Sequence, residues 1–285
     1  MQIKNSQNFL KSNSLVQKLV NLCDIDDINF VIEIGPGKGI ITRELVKHFE
    51  HVVAIELDQN LYLNLKNTLS YSNLEIINCD FLQYPLPDKN YCVISNIPFN
   101  ITADILTKLL DSKNSPEKMF LIMQTEALMK YAGMPYYHEC LKSLLYKPFY
   151  EITKIYDFNP SDFYPVPKAN ICFARFAKKQ YSDLKFGTYE QYRDFLCYIF
   201  MCKGQTFKQK TKNIFSYEQL KRIRKQVKID YDDPVSTWSY ESFLKLYREF
   251  LNLVSPQKQK LIDGFYEKYI ISQEQIEKIH RNRLR

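Results

Sequence analysis

The chain has few of the residue patterns that build metal centres, disulfide frameworks or membrane spans. Its seven cysteines form no Cys-x-x-Cys pair, and its four histidines are scattered along the sequence. An odd number of unclustered cysteines predicts reduced thiols, and the lack of a Cys/His cluster argues against a metal site. No run approaches the roughly 18 apolar residues of a membrane span, and the polar N-terminus has no apolar signal core. We therefore expect a cytoplasmic protein with neither a metal nor a membrane partner.

Positive charge is in excess, and the excess is concentrated in one segment. Residues 203–228 contain nine basic side chains and one acid, Glu218, so their net charge of +8 exceeds the +7 of the whole chain. The same segment carries Phe207, Phe215 and Tyr217. Basic residues interleaved with aromatics are typical of a surface that binds a polyanion, although a solvated helix face has a similar composition.

Short apolar runs predict seven strands, and helical patterns lie in three of the four intervals between the first five. The predicted strands are residues 30–34, 51–56, 74–78, 91–95, 119–123, 150–158 and 169–176, and the helices between them are residues 40–49, 60–69 and 101–110. Strands that alternate with helices indicate βαβ units in a parallel sheet. Three prolines in residues 159–167 exclude a helix there, so the last two strands are expected to form an antiparallel hairpin.

The chain beyond residue 180 has helical patterns alone. Residues 189–201, 217–227 and 240–254 are predicted helices, a last one begins near residue 256, and Ser216 and Ser239 are candidate N-caps. The sequence thus predicts a Rossmann-like α/β domain with a seven-stranded, mostly parallel sheet over residues 1–177. A small all-helical basic domain with a C-terminal extension is predicted over residues 178–285.

Three of the chain's seven glycines fall in Gly35-Pro36-Gly37-Lys38-Gly39, where the first strand meets the first helix. Glycines there allow a ligand to approach backbone amides closely, although a tight turn has the same sequence. Glu56 ends the second strand, where an acid can accept ribose hydroxyls, and Asp80 follows the third, where it can accept from an adenine amino group. Together they indicate a nucleoside pocket. The spacing fits neither a nucleotide-hydrolysing phosphate loop nor Gly-x-Gly-x-x-Gly.

The stretch Asn96-Ile97-Pro98-Phe99 follows the fourth strand and suits a site that grips a flat, amino-bearing ring. Asn96 offers a side-chain carbonyl, the Ile97 carbonyl precedes a proline without an amide hydrogen, and Phe99 offers a face for stacking. Taken alone, the stretch also fits a proline-containing loop with a core phenylalanine.

These residues together resemble the S-adenosylmethionine-dependent rRNA adenine N6-methyltransferases. The similarity covers Glu33-Ile34-Gly35-Pro36-Gly37-x-Gly39, Glu56, Asp80 and Asn96-Ile97-Pro98-Phe99. It extends to Ser6-Gln7-Asn8-Phe9-Leu10 and to Phe158-x-Pro160-x-x-Phe163-x-Pro165-x-Pro167-Lys168. The matches occur in order from about residue 5 to residue 176, and as a set they are highly specific.

The resemblance implies S-adenosyl-L-methionine as the cofactor and ribosomal RNA as the partner of a monomeric enzyme. It places the cofactor against Asn8, Leu10, Gly35, Gly37, Glu56, Asp80 and Asn96. It assigns the chemistry to Asn96, Ile97, Pro98 and Phe99, with Phe163 holding the target base on the side opposite Phe99. RNA phosphates are expected to bind Lys203, Lys208, Lys210, Lys212, Arg222, Arg224 and Lys225.

Two branches of the family differ in their RNA target. Ser6, Ile97 and the similarity of residues 210–227 to the C-terminal helices of the erythromycin-resistance (Erm) branch predict methylation of one adenine in 23S rRNA. Resistance to macrolides, lincosamides and streptogramin B would follow from that reaction. The alternative is the housekeeping 16S rRNA adenine dimethyltransferase. Phe99 in place of the usual Tyr, Asn170 and Cys172 after the proline-rich motif, and a long C-terminal extension depart from the Erm pattern.

Two other classes share some of these features. A non-catalytic RNA-binding or transcription-factor descendant would keep the basic domain, but the intact Glu56, Asp80 and Asn96 argue against it. A DNA adenine methyltransferase shares the chemistry but usually has a second proline where Ile97 stands. The sequence alone does not determine whether one or two methyl groups are added, whether the substrate is naked rRNA or an assembling subunit, or what the C-terminal extension contacts.

Overall fold

The computed structural model describes residues 8–25, 27–230 and 232–283. Its contacts divide the chain into two units. The sheet unit is the chain up to Met129 together with Tyr150–Gln180, and the helical unit is Lys130–Phe149 together with the chain from Tyr181 onward. The segment Lys130–Phe149, which the sequence places in the first domain, therefore groups with the helices. The assignment of a separate function to each domain stays a prediction.

The sheet unit contains nine strands among the described residues. They are β1 (Phe9–Leu10), β2 (Phe30–Ile34), β3 (His51–Glu56), β4 (Leu74–Asn78), β5 (Cys92–Asn96), β6 (Lys118–Gln124), β7 (Tyr150–Asp157), β8 (Phe163–Tyr164) and β9 (Ile171–Lys178). Seven of them form one sheet in the order β4-β3-β2-β5-β6-β9-β7. Strands β2 to β6 pair in parallel, and β9 pairs antiparallel to both β6 and β7. The predicted seven-stranded, mostly parallel sheet with an antiparallel final hairpin is confirmed.

The helices between these strands explain the continuous apolar runs of the central strands. They are α1 (Asn13–Asn21), α2 (Thr42–His48), α3 (Gln59–Thr68), α4 (Thr102–Asp111) and α5 (Thr125–Ala132). Crossover helices cover a parallel sheet, so every residue of β2 is buried, Glu33 included. The sheet order reverses at β2, which has β3 on one side and β5 on the other. Ligands of open α/β sheets bind at the carboxyl ends of strands beside such a reversal.

A short second sheet joins two distant parts of the sheet unit. Strand β1 pairs antiparallel with β8, with Phe9 opposite Tyr164 and Leu10 opposite Phe163. The Asn8 side chain donates to the Pro165 carbonyl (2.7 Å), and the Lys11 amide donates to the Asp162 carbonyl (3.1 Å). We call residues 9–10 and 163–164 the β1–β8 ribbon.

The helical unit is built from amphipathic helices with a largely aromatic core. They are α6 (Leu141–Tyr146), α7 (Tyr189–Met201), α8 (Phe207–Thr211), α9 (Tyr217–Val227), α10 (Tyr240–Leu253), α11 (Pro256–Gln259) and α12 (Phe265–Arg283). The predicted N-caps are confirmed, since Ser216 accepts from the Gln219 amide and Ser239 from the Ser242 amide. None of the described helices is long and apolar enough to cross a membrane.

Candidate active site

A cleft opens in the sheet unit where β2 and β5 end beside the sheet's reversal. It contains about 540 Å³ of space, part of it open to solvent. Seven of the residues that the sequence predicted for the site line it: Asn8, Leu10, Gly35, Asn96, Ile97, Pro98 and Phe99. Phe9, Glu33, Pro36, Ile40 and Ile41 complete the lining. Ser6 and Gln7, which also carried the resemblance, lie outside the described residues.

The glycine-rich turn between β2 and α2 brings backbone into this cleft. Gly35 and Gly37 both have positive φ angles, 65° and 59°, which residues with a Cβ rarely adopt. A Cβ on Gly37 would lie 2.6 Å from a ring carbon of Phe9. The turn is anchored because the Gly35 amide donates to the Ile55 carbonyl of β3 (2.9 Å). Glycine is therefore required at Gly37 by both conformation and space.

Glu56 ends β3 as a buried acceptor beside the glycine turn. Its Oε2 accepts from the Gly37 amide (3.0 Å), and its Oε1 accepts from the Asp58 amide (2.9 Å). Burial raises the pKa of this carboxyl above its ordinary value, and the two backbone donors act in the opposite direction. Since a carboxylate oxygen can accept more than one hydrogen bond, both oxygens retain acceptor capacity for a hydroxyl pair.

Asp80 lies just beyond β4, the strand next to β3, and does not line the cleft itself. Its Oδ1 accepts from the Leu82 amide (2.9 Å). Lys108 of α4 fixes the turn that follows, because its ammonium donates to the carbonyls of Phe81 (2.8 Å) and Leu82 (2.9 Å). Burial lowers the pKa of Lys108, while the charge of Asp80 acts against this. The turn thus holds Asp80 at the same edge of the sheet as Glu56.

Asn96 is oriented by a relay of side-chain amides. Its Nδ2 donates to the Asn8 carbonyl (2.7 Å), and the Asn8 side chain is itself held by the Pro165 carbonyl (2.7 Å). Because Nδ2 of Asn96 donates to Asn8, its Oδ1 remains available as an acceptor. The next residue is fixed too, since the Ile97 amide donates to the Ile122 carbonyl of β6 (3.2 Å).

The two phenylalanines expected to hold a base have different environments. Phe99 is half-buried and lines the cleft at the start of the turn that leads into α4. Phe163 is 0% exposed and packs edge-on against Phe158, with ring centroids 5.1 Å apart. Successive residues of a strand point to opposite sides, so β8 turns Phe163 into the core and leaves Tyr164 outside. In this conformation Phe163 supports the cleft from within and offers no ring face to a base.

Glu33 lines the cleft, and sequence reasoning gave it no role. It is buried one residue before the end of β2 and accepts from the Thr42 hydroxyl through Oε2 (2.6 Å). Burial, opposed by the hydrogen bond from Thr42 and assisted by the nearby charge of Glu56, raises the pKa of Glu33 to about 8. The signal in the sequence was an acid inside an otherwise continuous apolar strand.

The residues predicted to bind RNA all lie in the helical unit, on and around α8 and α9. Most are exposed: Lys203, Lys208, Lys212, Arg222, Arg224 and Lys225. Lys210 is half-buried and donates to the Cys202 carbonyl (2.8 Å), and Arg224 pairs with Asp230 (3.0 Å). Helix α9 buries Leu220, Ile223 and Val227, which directs its basic side chains outward.

The donor and acceptor set of the sheet unit fits S-adenosylmethionine. The glycine turn exposes backbone at the cleft, and a Cβ on Gly35 would lie no closer than 3.9 Å to Pro98, so space remains beside it. Glu56 offers a buried acceptor of the kind that can bind ribose hydroxyls, and Asp80 offers a second carboxylate acceptor at the same edge of the sheet. This arrangement contains the features that an adenosine-bearing cofactor needs.

Comparisons with known proteins agree with this geometry. The profile of a family described as ribosomal RNA adenine dimethylase matches residues 1–252. Ribosomal RNA small subunit methyltransferase A of Mycoplasma capricolum is 33% identical over 73% of this chain and 81% of its own. The protein of the same name in Mycoplasmopsis pulmonis is 29% identical, over 85% of this chain and 96% of its own.

One solved structure, described as the 23S rRNA methyltransferase ErmE, has the same fold. It superposes with a TM-score of 0.78 at 22% identity, over 85% of this chain and 99% of its own. The family match spans the glycine turn, Glu56, Asp80 and Asn96, together with most of the helical unit. The chain belongs to the ribosomal RNA adenine dimethylase family and is an rRNA adenine N6-methyltransferase.

Proposed function

We propose that this protein dimethylates N6 of adenine in small-subunit ribosomal RNA, with S-adenosylmethionine as the methyl donor. The observation that carries the proposal is the pair of relatives named as small subunit methyltransferases, which are aligned over most of both chains. The family's description as a dimethylase supports the addition of two methyl groups. The sequence motifs favoured 23S rRNA as the target. The target proposed here is instead the alternative that the sequence left open, 16S rRNA of the small subunit.

The cofactor would be held mainly by the ends of β2, β3 and β4. Glu56 accepts the ribose hydroxyls, Asp80 accepts the adenine amino group, and the turn at Gly35 and Gly37 supplies close backbone contact. When bound, S-adenosylmethionine supplies an electrophilic methyl group on a sulfonium. Asn8, Leu10 and Asn96 enclose the cleft around it and restrict access of water.

The target adenine would enter the cleft after leaving its stack. Phe99 stacks on the ring, while Asn96 Oδ1 and the Ile97 carbonyl accept the two hydrogens of the exocyclic amine. Hydrogen bonding to both hydrogens favours a pyramidal nitrogen whose lone pair points at the methyl group. Catalysis is then chiefly positioning, and the amine, once alkylated, is acidic enough to lose its proton without a strong general base.

The basic residues of the helical unit would bind RNA phosphates. Phosphate contacts fix position and register and carry little base identity, so Lys212, Arg222 and Lys225 contribute affinity more than target choice. The second candidate is the 23S target, which Ile97 and residues 210–227 favour through their similarity to the Erm branch. The ErmE likeness does not decide between the targets, because at 22% identity it shows the fold alone.

The two targets can be separated directly. The purified protein is incubated with radiolabelled S-adenosylmethionine and either protein-free 23S rRNA or assembled 30S subunits, and the label is mapped by primer extension. We expect label on adenines of the 30S particle. Label on a single 23S adenine with none on the 30S particle would overturn the proposal and establish the Erm reaction.

An Asn96→Ala variant tests the assignment of the site in the same assay. Loss of the acceptor for one amino hydrogen is expected to lower turnover by about 100-fold or more, as for other positioned hydrogen-bond groups in catalytic sites. Cofactor affinity, measured by calorimetry, is expected to change much less. A large loss of cofactor binding with normal turnover of the bound complex would refute the catalytic role of Asn96.

A further inference from the structure

Tyr164 is a large aromatic side chain exposed beside the cleft, and the catalytic roles proposed above do not use it. It is 69% exposed, and its hydroxyl forms no hydrogen bond with the described residues. Its position is nevertheless well fixed, because it lies in the β1–β8 ribbon opposite Phe9. Phe9 lines the cleft, so Tyr164 stands one strand spacing, about 4.8 Å between backbones, from the lining itself.

The ribbon is anchored on both sides of Tyr164. On one side Phe163 is anchored in the core, and on the other the Pro165 carbonyl accepts from the Asn8 side chain (2.7 Å). When an exposed ring on an anchored backbone makes a contact, it loses only the freedom of its own two side-chain torsions. Such a ring is suited to stacking, as are the aromatic platforms of proteins that bind single strands.

Positive charge accompanies the ring. Lys11 follows β1, and Lys38 places its ammonium 5.3 Å from the Phe9 ring centroid. Both side chains are exposed, and neither forms an ion pair within the described part of the chain. Asp162 is an acid directly before this ribbon segment, and its Oδ2 already accepts from the Asn159 amide (2.9 Å). The surface therefore pairs an aromatic face with two available cations.

We propose that the β1–β8 ribbon is a second nucleotide subsite of the sheet unit. Tyr164 stacks on an unpaired base adjacent to the target adenine, and Lys11 and Lys38 bind the phosphates beside it. The inference rests on the proposed function, because an adenine drawn out of its stack leaves a neighbour that has also lost a stacking partner. The occupant is single-stranded RNA, since Tyr164 and Val166 alone offer too little apolar surface for a stable protein interface.

The test compares Tyr164→Ala with Tyr71→Ala, which removes another exposed tyrosine of the sheet unit, 44% exposed. Binding of a fluorescently labelled single-stranded oligoadenylate is measured by anisotropy, without any methyl transfer. Stacking of one base predicts a rise in Kd of about 5- to 100-fold for Tyr164→Ala. Tyr164→Phe and Tyr71→Ala should bind as the wild type does, and cofactor affinity by calorimetry should be unchanged in all three.

Two further readouts make the test independent of folding artefacts. A Tyr164→Trp variant adds an exposed indole to a chain whose single tryptophan, Trp238, is buried, so oligoadenylate should quench the new fluorescence. The Lys11→Ala/Lys38→Ala double variant should reduce the slope of log affinity against log salt by about 1.4, or about 0.7 for each phosphate bound. Lys66→Ala, at an exposed lysine of α3, is its control.

The subsite proposal would be overturned if Tyr164→Ala bound oligoadenylate with the affinity of the wild type. It would also be overturned if the variant lost oligoadenylate binding and cofactor binding equally, because the ring would then have a structural role. The result is separable from the choice of rRNA target. Weaker binding in Tyr164→Ala supports the subsite even if the 30S particle is not methylated. If the 30S particle is methylated and Tyr164→Ala binds oligoadenylate as the wild type does, the subsite is rejected and the proposed rRNA target stands.

Discussion

Glu33 shows how much a single residue adds to this site. Its carboxyl is enclosed between β2 and the start of α2, accepts from Thr42, and lies close enough to Glu56 for the two charges to interact. Burial raises the pKa of Glu33 to about 8, so the folded protein prefers the protonated acid near neutral pH. The group therefore links the stability of the cleft to pH.

The sign of this linkage follows from the two pKa values. An unfolded glutamate titrates near 4.5, whereas folded Glu33 titrates near 8, so the folded state binds more protons between these values. Wild-type stability should fall as pH rises through this interval and level off above it. Glu33→Gln should gain stability relative to the wild type over the same interval, by at most about 5 kcal/mol at 1.36 kcal/mol per pKa unit.

Urea unfolding at a series of pH values measures this difference. Glu75→Gln, which alters an exposed glutamate of β4, serves as the matched control. Parallel pH profiles for the wild type and Glu33→Gln would show that Glu33 is ionised in the folded protein throughout the interval.

The residues of the site were predictable to different degrees. The positions of Gly35, Glu56 and Asn96 at the carboxyl edge of the sheet were predictable because each stands at the end of a clear apolar strand. The burial of Phe163 was not predictable, since it depends on which side of a two-residue strand faces the core. That side is set by pairing with Leu10, far away in the sequence, and no local periodicity reports it.

Among the structural elements, the segment Lys130–Phe149 contains a buried ion pair. Glu139 is buried, and its Oε1 accepts from the Lys147 ammonium (2.6 Å) while its Oε2 accepts from the Ser143 hydroxyl (2.6 Å). The Met134 amide also donates to Glu139 (3.3 Å). One carboxylate thus ties the loop after α5 to helix α6.

Glu139→Gln is expected to destabilise the helical unit. The substitution leaves the Lys147 ammonium, whose side chain is 18% exposed, without its partner charge, and breaking such a pair typically costs about 3–5 kcal/mol. Hydrogen exchange should show faster amide exchange in residues 134–147 than in the wild type. Glu126→Gln, on the exposed face of α5, is the control. Unchanged exchange in the loop would show that the apolar contacts of α6 alone hold it.

Elements with a complete apolar pattern were predicted well, and elements without one were not. The bounds of β2, β3, β4, α7 and α9 agree with the predicted ranges because each carries a complete apolar pattern. Strands β1 and β8 and helix α8 are only two to five residues long, too short for any period to be read. They form because partners distant in sequence supply their hydrogen bonds and buried surface.

For the molecule as a whole, charge is divided unevenly. The chain's excess of +7 lies within residues 203–228, which belong to the helical unit. Lys212, Arg222 and Lys225 are exposed there, and none forms an ion pair with the described residues. A polyanion can therefore reach them without displacing an internal partner, so their effect on binding should be mainly electrostatic.

Reversal of these three charges, Lys212→Glu/Arg222→Glu/Lys225→Glu, is expected to weaken binding of rRNA. It should also flatten the dependence of log affinity on log salt, by about 0.7–0.9 for each phosphate that the variant no longer binds. Lys66→Glu/Lys89→Glu/Lys113→Glu changes the net charge equally within the sheet unit and is the control. Filter binding at several salt concentrations measures both slopes, and equal slopes for the two triple variants would mean that only net charge matters.

The hydrogen bond between Asn8 and Pro165 also sets an order of assembly. The two residues are 157 positions apart, and the bond between them holds the residue whose carbonyl orients Asn96. During synthesis the glycine turn, Glu56 and Asn96 are all made long before Pro165 leaves the ribosome. Because loop closure must precede such a distant contact, the cleft should be among the last parts of the sheet unit to form. A nascent chain that ends before residue 163 would contain most of the predicted cofactor ligands and still lack the finished cleft.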